Sequence, residues 1–416
     1  MSPYPFAAGA VGVIAAAAAA QGSASAEHPQ NQGNPYSGPV TWKPGSGVTV
    51  ADSDEFALTL AGMLQLQWVF AANELLADTN TFLVRRAQVR FAGHAFGKDL
   101  AYLLRLEAVD DGTGTNGPVK DAWVQWTFAR GDDAAVGARV GQGKTYHGLE
   151  STGGATGLWF VERASSSRAF ADARSRGAWL QGSHAGNRLR WLAGAQNGDV
   201  ANGALGITER GEETPNADNE LTWVASASYD PFGDTTGGKN SEAWRQGDLR
   251  DQDAMLATVG AGVMFGNNRS AAAANQDIES TQINVNTAWS FGSGFAAQGE
   301  VYLRSDDPSV ASTEDSHGWY AQATWSTPKS GASALQWGFG VRYNVITTDD
   351  TVTFLTGANG LGAVAGEVRE LTVVVDAFHH GHACKTQVEY THQDVEPDSG
   401  TNAGNDIVRV QVQLMF

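Results

Sequence analysis

The sequence of 416 residues predicts an all-β fold, a 16-stranded antiparallel transmembrane β-barrel. Three observations predict it. An export signal opens the chain. Period-two alternation of apolar and polar residues recurs through most of the remaining chain. The connections between alternating segments are short and long in turn. Alternation gives a strand one apolar and one polar face. A closed barrel is the β-structure that leaves no unpaired edge in lipid.

Composition agrees and excludes other classes. The chain has 50 Gly and 13 Trp but only 17% charged residues, a balance typical of turn-rich β proteins. Its one cysteine, Cys384, excludes an internal disulfide framework and a Cys-cluster zinc site. A net charge of −18 argues against a nucleic-acid binder, which must neutralise phosphates.

At the start of the chain, residues 7–20, AAGAVGVIAAAAAA, form one apolar run of 14, too short to span a bilayer. With the small-x-small tract Ala24-Ser25-Ala26 it reads as a signal peptide over residues 1–26. The preceding MSPYPF lacks the usual positive charge. Residues 27–56, rich in Gln, Asn, Pro and Gly at their start, read as a periplasmic N-terminal segment or linker. The barrel domain is expected over 57–416.

Sixteen strands are expected at 57–71, 82–95, 99–109, 119–129, 134–143, 176–183, 187–197, 219–230, 254–266, 280–291, 294–305, 316–327, 333–345, 366–378, 382–392 and 405–416. The last is the clearest. Val408, Val410, Val412, Leu414 and Phe416 share one face, and Arg409, Gln411 and Gln413 share the other. Polar faces carry Gln, Asn and Arg more than Lys and Glu, and aromatics sit near strand ends, as in the girdles of membrane barrels. Connections after even strands are short, such as Phe96-Gly97-Lys98 and Gly292-Ser293. Those after odd strands are long, the longest, 144–175, being the third of them. One connection breaks the rule: 231–253 falls on the short side, as an insertion or a sign of miscounting.

An ordered set of tracts resembles the phosphate-selective porin O/P family. The tracts are Arg85-Arg86-Ala87, Lys120-Asp121-Ala122-Trp123, Gly141-Gln142-Gly143-Lys144, Glu150-Ser151-Thr152, Glu162-Arg163 and Arg176-Gly177. Asp230-Pro231-Phe232-Gly233 and the terminal strand continue the likeness more weakly. Gly143 stands where the family usually has an aromatic, and Ala164 where it has Ser. The resemblance implies a trimeric 16-stranded porin of the bacterial outer membrane whose third external loop folds into the pore.

Charge is distributed unevenly. Residues 81–190 hold 15 Lys plus Arg against 10 Asp plus Glu, while the rest hold 12 against 35. Alternation points Arg86, Arg90, Arg105 and Arg139 into the lumen, and Lys144, Arg163, Arg168, Arg174 and Arg176 lie on or beside the pore loop. These nine are the candidate pore-lining, anion-binding residues, because rings of basic side chains select anions and the guanidinium fork suits phosphate. The competing reading pairs them with Glu107, Glu150, Glu162 and Asp172 to hold the loop in place.

Other constellations are weak. Asp110-Asp111, Asp306-Asp307 and Asp349-Asp350 read as solvated turns, as do His379, His380 and His382. No GxSxG, P-loop or HExxH motif occurs, and Ser183-His184 lacks supporting partners, so no enzyme, cofactor or metal is expected. The function expected is passive diffusion of small hydrophilic solutes, with an anion or phosphate preference. The alternatives are a general or cation-preferring porin, or a barrel that anchors the envelope. The expected partners are outer-membrane lipid, two further copies of the chain, and small anionic or polar solutes, with no nucleic acid.

Overall fold

The computed structural model describes residues 40–109, 119–171, 174–197, 221–250, 253–270, 276–309, 312–329, 335–349 and 365–416. The expected signal peptide, Asp110-Asp111, Asp172 and Asp350 lie outside them. Two short strands, β1 (Thr41–Lys43) and β2 (Gly47–Asp52), come first. The wall begins with β3 (Phe56–Asn73), β4 (Thr79–Ala95), β5 (Leu100–Glu107), β6 (Val119–Arg130), β7 (Ala135–Lys144) and β8 (Arg174–His184). It continues through β9 (Leu189–Asn197), β10 (Leu221–Tyr229), β11 (Leu256–Ser270), β12 (Gln276–Ser290) and β13 (Phe295–Pro308). It ends with β14 (Glu314–Ser326), β15 (Gln336–Thr348), β16 (Gly366–Phe378), β17 (Cys384–Pro397) and β18 (Ala403–Met415).

Each strand from β3 onward pairs antiparallel with the next, and β18 returns to β3 from Asn405↔Asn73 to Met415↔Met63. The wall is therefore a closed barrel of 16 strands, as the alternation predicts. The period-two pattern is the cause. Along β13, Val301 and Leu303 are exposed outward while Glu300, Tyr302 and Arg304 are buried inward. In lipid the outward face costs nothing and the backbone polar groups are all paired across strands. Aromatic pairs mark the short-turn end, among them Phe291 with Phe295 (5.5 Å) and Trp325 with Phe339 (6.0 Å).

The seam is finished by the N-terminal hairpin. β18 stops at Met63, and β2 pairs with β3 from Val48↔Leu60 to Asp52↔Ala57 beyond it. The second half of the segment read as a periplasmic extension or linker thus extends the barrel wall. Phe416 exchanges backbone hydrogen bonds with Gly62, at 2.6 and 3.1 Å, and lays its ring over it.

The parity exception is a true insertion, since the strand count around it holds. Residues 230–250 fold back against the 145–171 connection. Gln246 accepts from the Trp159 amide at 2.7 Å and donates to Glu150 at 2.8 Å. Gly247 (φ 78°) lies under the Trp159 ring, where a Cβ would fall 1.9 Å from a ring carbon. Two solvated-turn expectations are corrected. Asp306 is the inward end of β13, buried and gripped by Arg304 at 2.7 Å, because alternation carries the lumen face further than the predicted strand end. His382 is buried against the Gln246 carbonyl at 3.2 Å, because the insertion covers its turn.

A Gly62→Val substitution tests the seam. Its Cβ falls 2.4 Å from the Phe416 ring. Overpacking of this kind costs about 1–3 kcal/mol. The expected result is a lower temperature for the heat-dependent gel mobility shift of the folded barrel, and an unchanged temperature would show that Phe416 does not close it.

Candidate functional site

The site begins with the 145–173 connection. Its described part holds α1 (Leu149–Thr152), a turn of 3-10 helix (Ala155–Gly157) and α2 (Ser165–Ala171). Most of it is buried, with Trp159 and Phe160 fully so. Polar-face side chains of the wall take up its backbone. Glu300 accepts the amides of Leu149 (2.8 Å) and Glu150 (2.6 Å) at the start of α1. Lys144 donates to the carbonyls of Ser151, Thr152 and Gly153 at its end, at 2.6, 3.1 and 2.6 Å. Opposite charges thus close the two unsatisfied ends of one short helix. Further along, Glu389 accepts from Val161 (2.8 Å), Gln387 donates to the Trp159 carbonyl (2.6 Å), and Asn344 accepts from Ser166 (3.0 Å).

A cavity of about 290 Å³ remains between this segment and the wall of β3–β8. Its lining includes Arg85, Arg86, Arg90, Arg105, Lys120, Lys144, Arg163, Arg168 and Arg174, and one carboxylate, Glu107. Seven of the nine predicted residues are brought together here. Arg85 and Lys120 are additions. Alternation assigns Arg85 outward, but a bulge between β3 and β4 pairs Gln65 with Arg86 and Leu66 with Val84, so Arg85 is extra. A second irregularity, between Arg105/Leu106 and Asp121/Val119, does the same for Lys120. The only signal in the sequence is the doublet of like charges at 85–86, which breaks alternation.

Arg139 and Arg176 do not line the cavity. The Arg139 side chain is fully buried, 4.3 Å from the Trp123 ring centroid and 5.3 Å from that of Tyr146. It donates to Tyr146 Oη at 2.9 Å and to Glu242 at 3.4 Å. Glu242 comes from the insertion, so strand periodicity could not supply this partner. Arg176 donates to Gln142 at 3.1 Å.

The lining cations divide by what holds them. Glu162 binds Arg85 at 2.7 Å and lies 3.6 Å from Arg86. Asp121 binds Arg105 at 3.0 Å and Arg174 at 2.8 Å. Lys144 and Arg163 hold carbonyls of α1. The Arg90 and Arg168 side chains make no hydrogen bond or ion pair among the described residues, and Arg168 is exposed. Burial alone would raise the Glu162 pKa. The Arg86 and Arg85 guanidiniums outweigh it and hold the carboxyl well below the usual carboxylate range. No cluster of three metal-ligating side chains occurs among the described residues.

Known proteins share both the sequence pattern and the fold. The family described as Phosphate-selective porin O and P matches residues 63–416. No curated protein matches the sequence. Among solved structures, the outer membrane channel DcaP of Acinetobacter baumannii is 11% identical with a TM-score of 0.58, covering 88% of this chain and 99% of that one. An anion-selective porin from Comamonas acidovorans is 11% identical with a TM-score of 0.56, covering 87% of this chain and 100% of that one. OmpT of Vibrio cholerae in a trimer form is 11% identical with a TM-score of 0.51, covering 86% and 100%. At these identities the likeness is one of fold.

A Glu162→Gln substitution tests the ion-pair anchor. A depressed folded pKa contributes stability above the unfolded value, lost as pH falls through the folded one. At pH 7 the variant is expected to melt below the wild type. The gap should begin to narrow as pH drops below about 4.3, the unfolded carboxylate value, and close only well under it. A gap constant down to pH 2 would show that charge is not what holds the loop.

Proposed function

The chain belongs to the phosphate-selective porin O and P family, a bacterial outer-membrane channel on a β-barrel, and from that premise we propose an anion-preferring passive pore. The observation that carries the proposal is the imbalance at the 290 Å³ cavity, nine cationic side chains against one lining carboxylate. Counting the adjacent Asp121 and Glu162, which hold four of the nine, the surplus is still six positive charges. A cation surplus in a low-dielectric passage attracts anions and repels cations. The Arg90 and Arg168 side chains have no polar partner among the described residues and are the groups we assign to contact passing ions. Arg85, Arg86, Arg105 and Arg174 bias the field while holding the wall. A guanidinium offers two parallel donors to an oxyanion, so phosphate and its analogues are the favoured solutes.

We place the short-turn end, with the β1–β2 hairpin, in the periplasm, following the usual asymmetry of outer-membrane barrels. The functional unit proposed is a homotrimer, a form known for the Vibrio cholerae OmpT neighbour.

Planar-bilayer recording tests this reading. Reversal potentials in a potassium chloride gradient are expected to give a chloride-to-potassium permeability ratio above one. Phosphate is expected to reduce the chloride current. Arg90→Ala and Arg168→Ala should each lower the ratio about fivefold, the factor equivalent to about 1 kcal/mol of lost attraction. Cation selectivity that both substitutions leave unchanged would refute the proposal.

A further inference from the structure

A second cavity, of about 260 Å³, lies at the short-turn end beneath α1. Its walls come from β6–β12 and the inserted connection, and it shares no lining residue with the basic cavity. Its chemistry is different. No carboxylate lines it. The Arg190 guanidinium is held by Asp230 at 2.7 and 2.8 Å, and Arg130 donates to Asp99 at 3.2 Å. Apart from the exposed Lys239, the uncommitted surface is hydroxyl, amide and indole. Four lining side chains keep a polar atom without a hydrogen-bond partner among the described residues: Gln181 Oε1, Thr258 Oγ1, Trp244 Nε1 and Arg190 Nε, the last on a guanidinium whose charge Asp230 meets.

We propose that this cavity binds a neutral polyhydroxylated solute of the sugar class. The donor and acceptor inventory selects it. Gln181 Oε1 only accepts, the Trp244 indole and Arg190 Nε only donate, and the Thr258 hydroxyl does either. An anion satisfies the indole but faces the amide oxygen with like polarity. A cation does the reverse. Adjacent sugar hydroxyls both donate and accept, so one ring meets all four demands. Unmet polar groups in a covered wall are costly, and the gain from meeting them is correspondingly large. The Trp244 indole supplies apolar area for the C–H side of such a ring. The volume, slightly below the usual range of ligand pockets, limits the occupant to one ring or two.

Saturation-transfer NMR of glucose with the purified full-length chain in detergent tests this. A saturable signal is expected, weakened at least about tenfold in Gln181→Leu/Thr258→Val, the loss of about 1.4 kcal/mol. Arg168→Ala should leave it unchanged, which separates this site from the anion path. Sodium chloride conductance of each variant shows that its barrel is folded. Should the double substitution fail to fold, Thr258→Val alone serves, with a smaller loss of the same sign. Absence of a saturable glucose signal, or one that the substitutions leave intact, overturns the proposal. So does displacement of glucose by inorganic phosphate, which would make the cavity part of the anion path.

Discussion

The Glu300 carboxylate is the constraint on which the interior depends. It is buried on the inner face of β13, and five donors converge on it. They are the amides of Leu149 and Glu150, the hydroxyls of Tyr302 and Tyr320, and the side chain of Asn284. A carboxylate away from water is tolerated only where its lone pairs are filled. Here the filling groups include the start of the loop itself. Removing the loop would strand the carboxylate, and removing the carboxylate would strand two amides at the start of α1. The loop therefore docks as a unit, with Lys144 closing the other end of the same helix. Trp159, further along, is held by Gln246 and Gln387 and by the inserted connection that meets its ring at Gly247.

That docking explains why so many cations are needed and so few are free. A loop folded into a barrel brings carbonyls and carboxylates with it. Lys144, Arg163, Arg85, Arg86, Arg105 and Arg174 are used in satisfying them or in bracing the wall behind. Structural pairing thus accounts for most of the basic tract, and the proposed anion path uses the same arrangement. The pairing carboxylates are fewer than the cations they hold: Glu162 serves Arg85 and Arg86, and Asp121 serves Arg105 and Arg174. One acid bridging two bases leaves a net positive charge even where every guanidinium is bonded. The field therefore does not require unpaired residues alone. Arg90 and Arg168 add groups with open coordination to a region already biased.

The wall was legible in the sequence because lipid enforces strict period two. One slipped residue would turn a whole strand inside out. Hence β16 coincides with its expected span, Gly366–Phe378, and the closing strand differs by two residues at its start. The site was legible where it rode on that periodicity, as at Arg86, Arg90 and Arg105. It was illegible where local geometry departs from it. The bulge that turns Arg85 inward carries no residue type of its own. Asp306 reads as a turn acid until the strand is known to run on to Pro308. Arg139 has the right face but the wrong neighbours, since Glu242 reaches it from a hundred residues away in the chain. Contacts between the wall and its insertions are tertiary, and one sequence carries no record of them.

The net charge of −18 divides by location. As a single figure it suggests a protein that repels phosphate. Yet Asp121 and Glu162, beside the cavity, are bound to its own cations, while many of the remainder are outside it. Asp394, Asp406 and Glu396, for example, sit exposed near the long-loop ends of β17 and β18. Exposed charges beyond a Debye length, about 8 Å at physiological salt, are largely screened from one another. Those in a narrow, low-dielectric passage are screened much less. An acidic surface and a basic interior therefore do not cancel. The potential an ion meets inside is set by the few groups lining its path, and on the proposed reading these are the residues that alternation, bulges and a docked loop gather between β3 and β8.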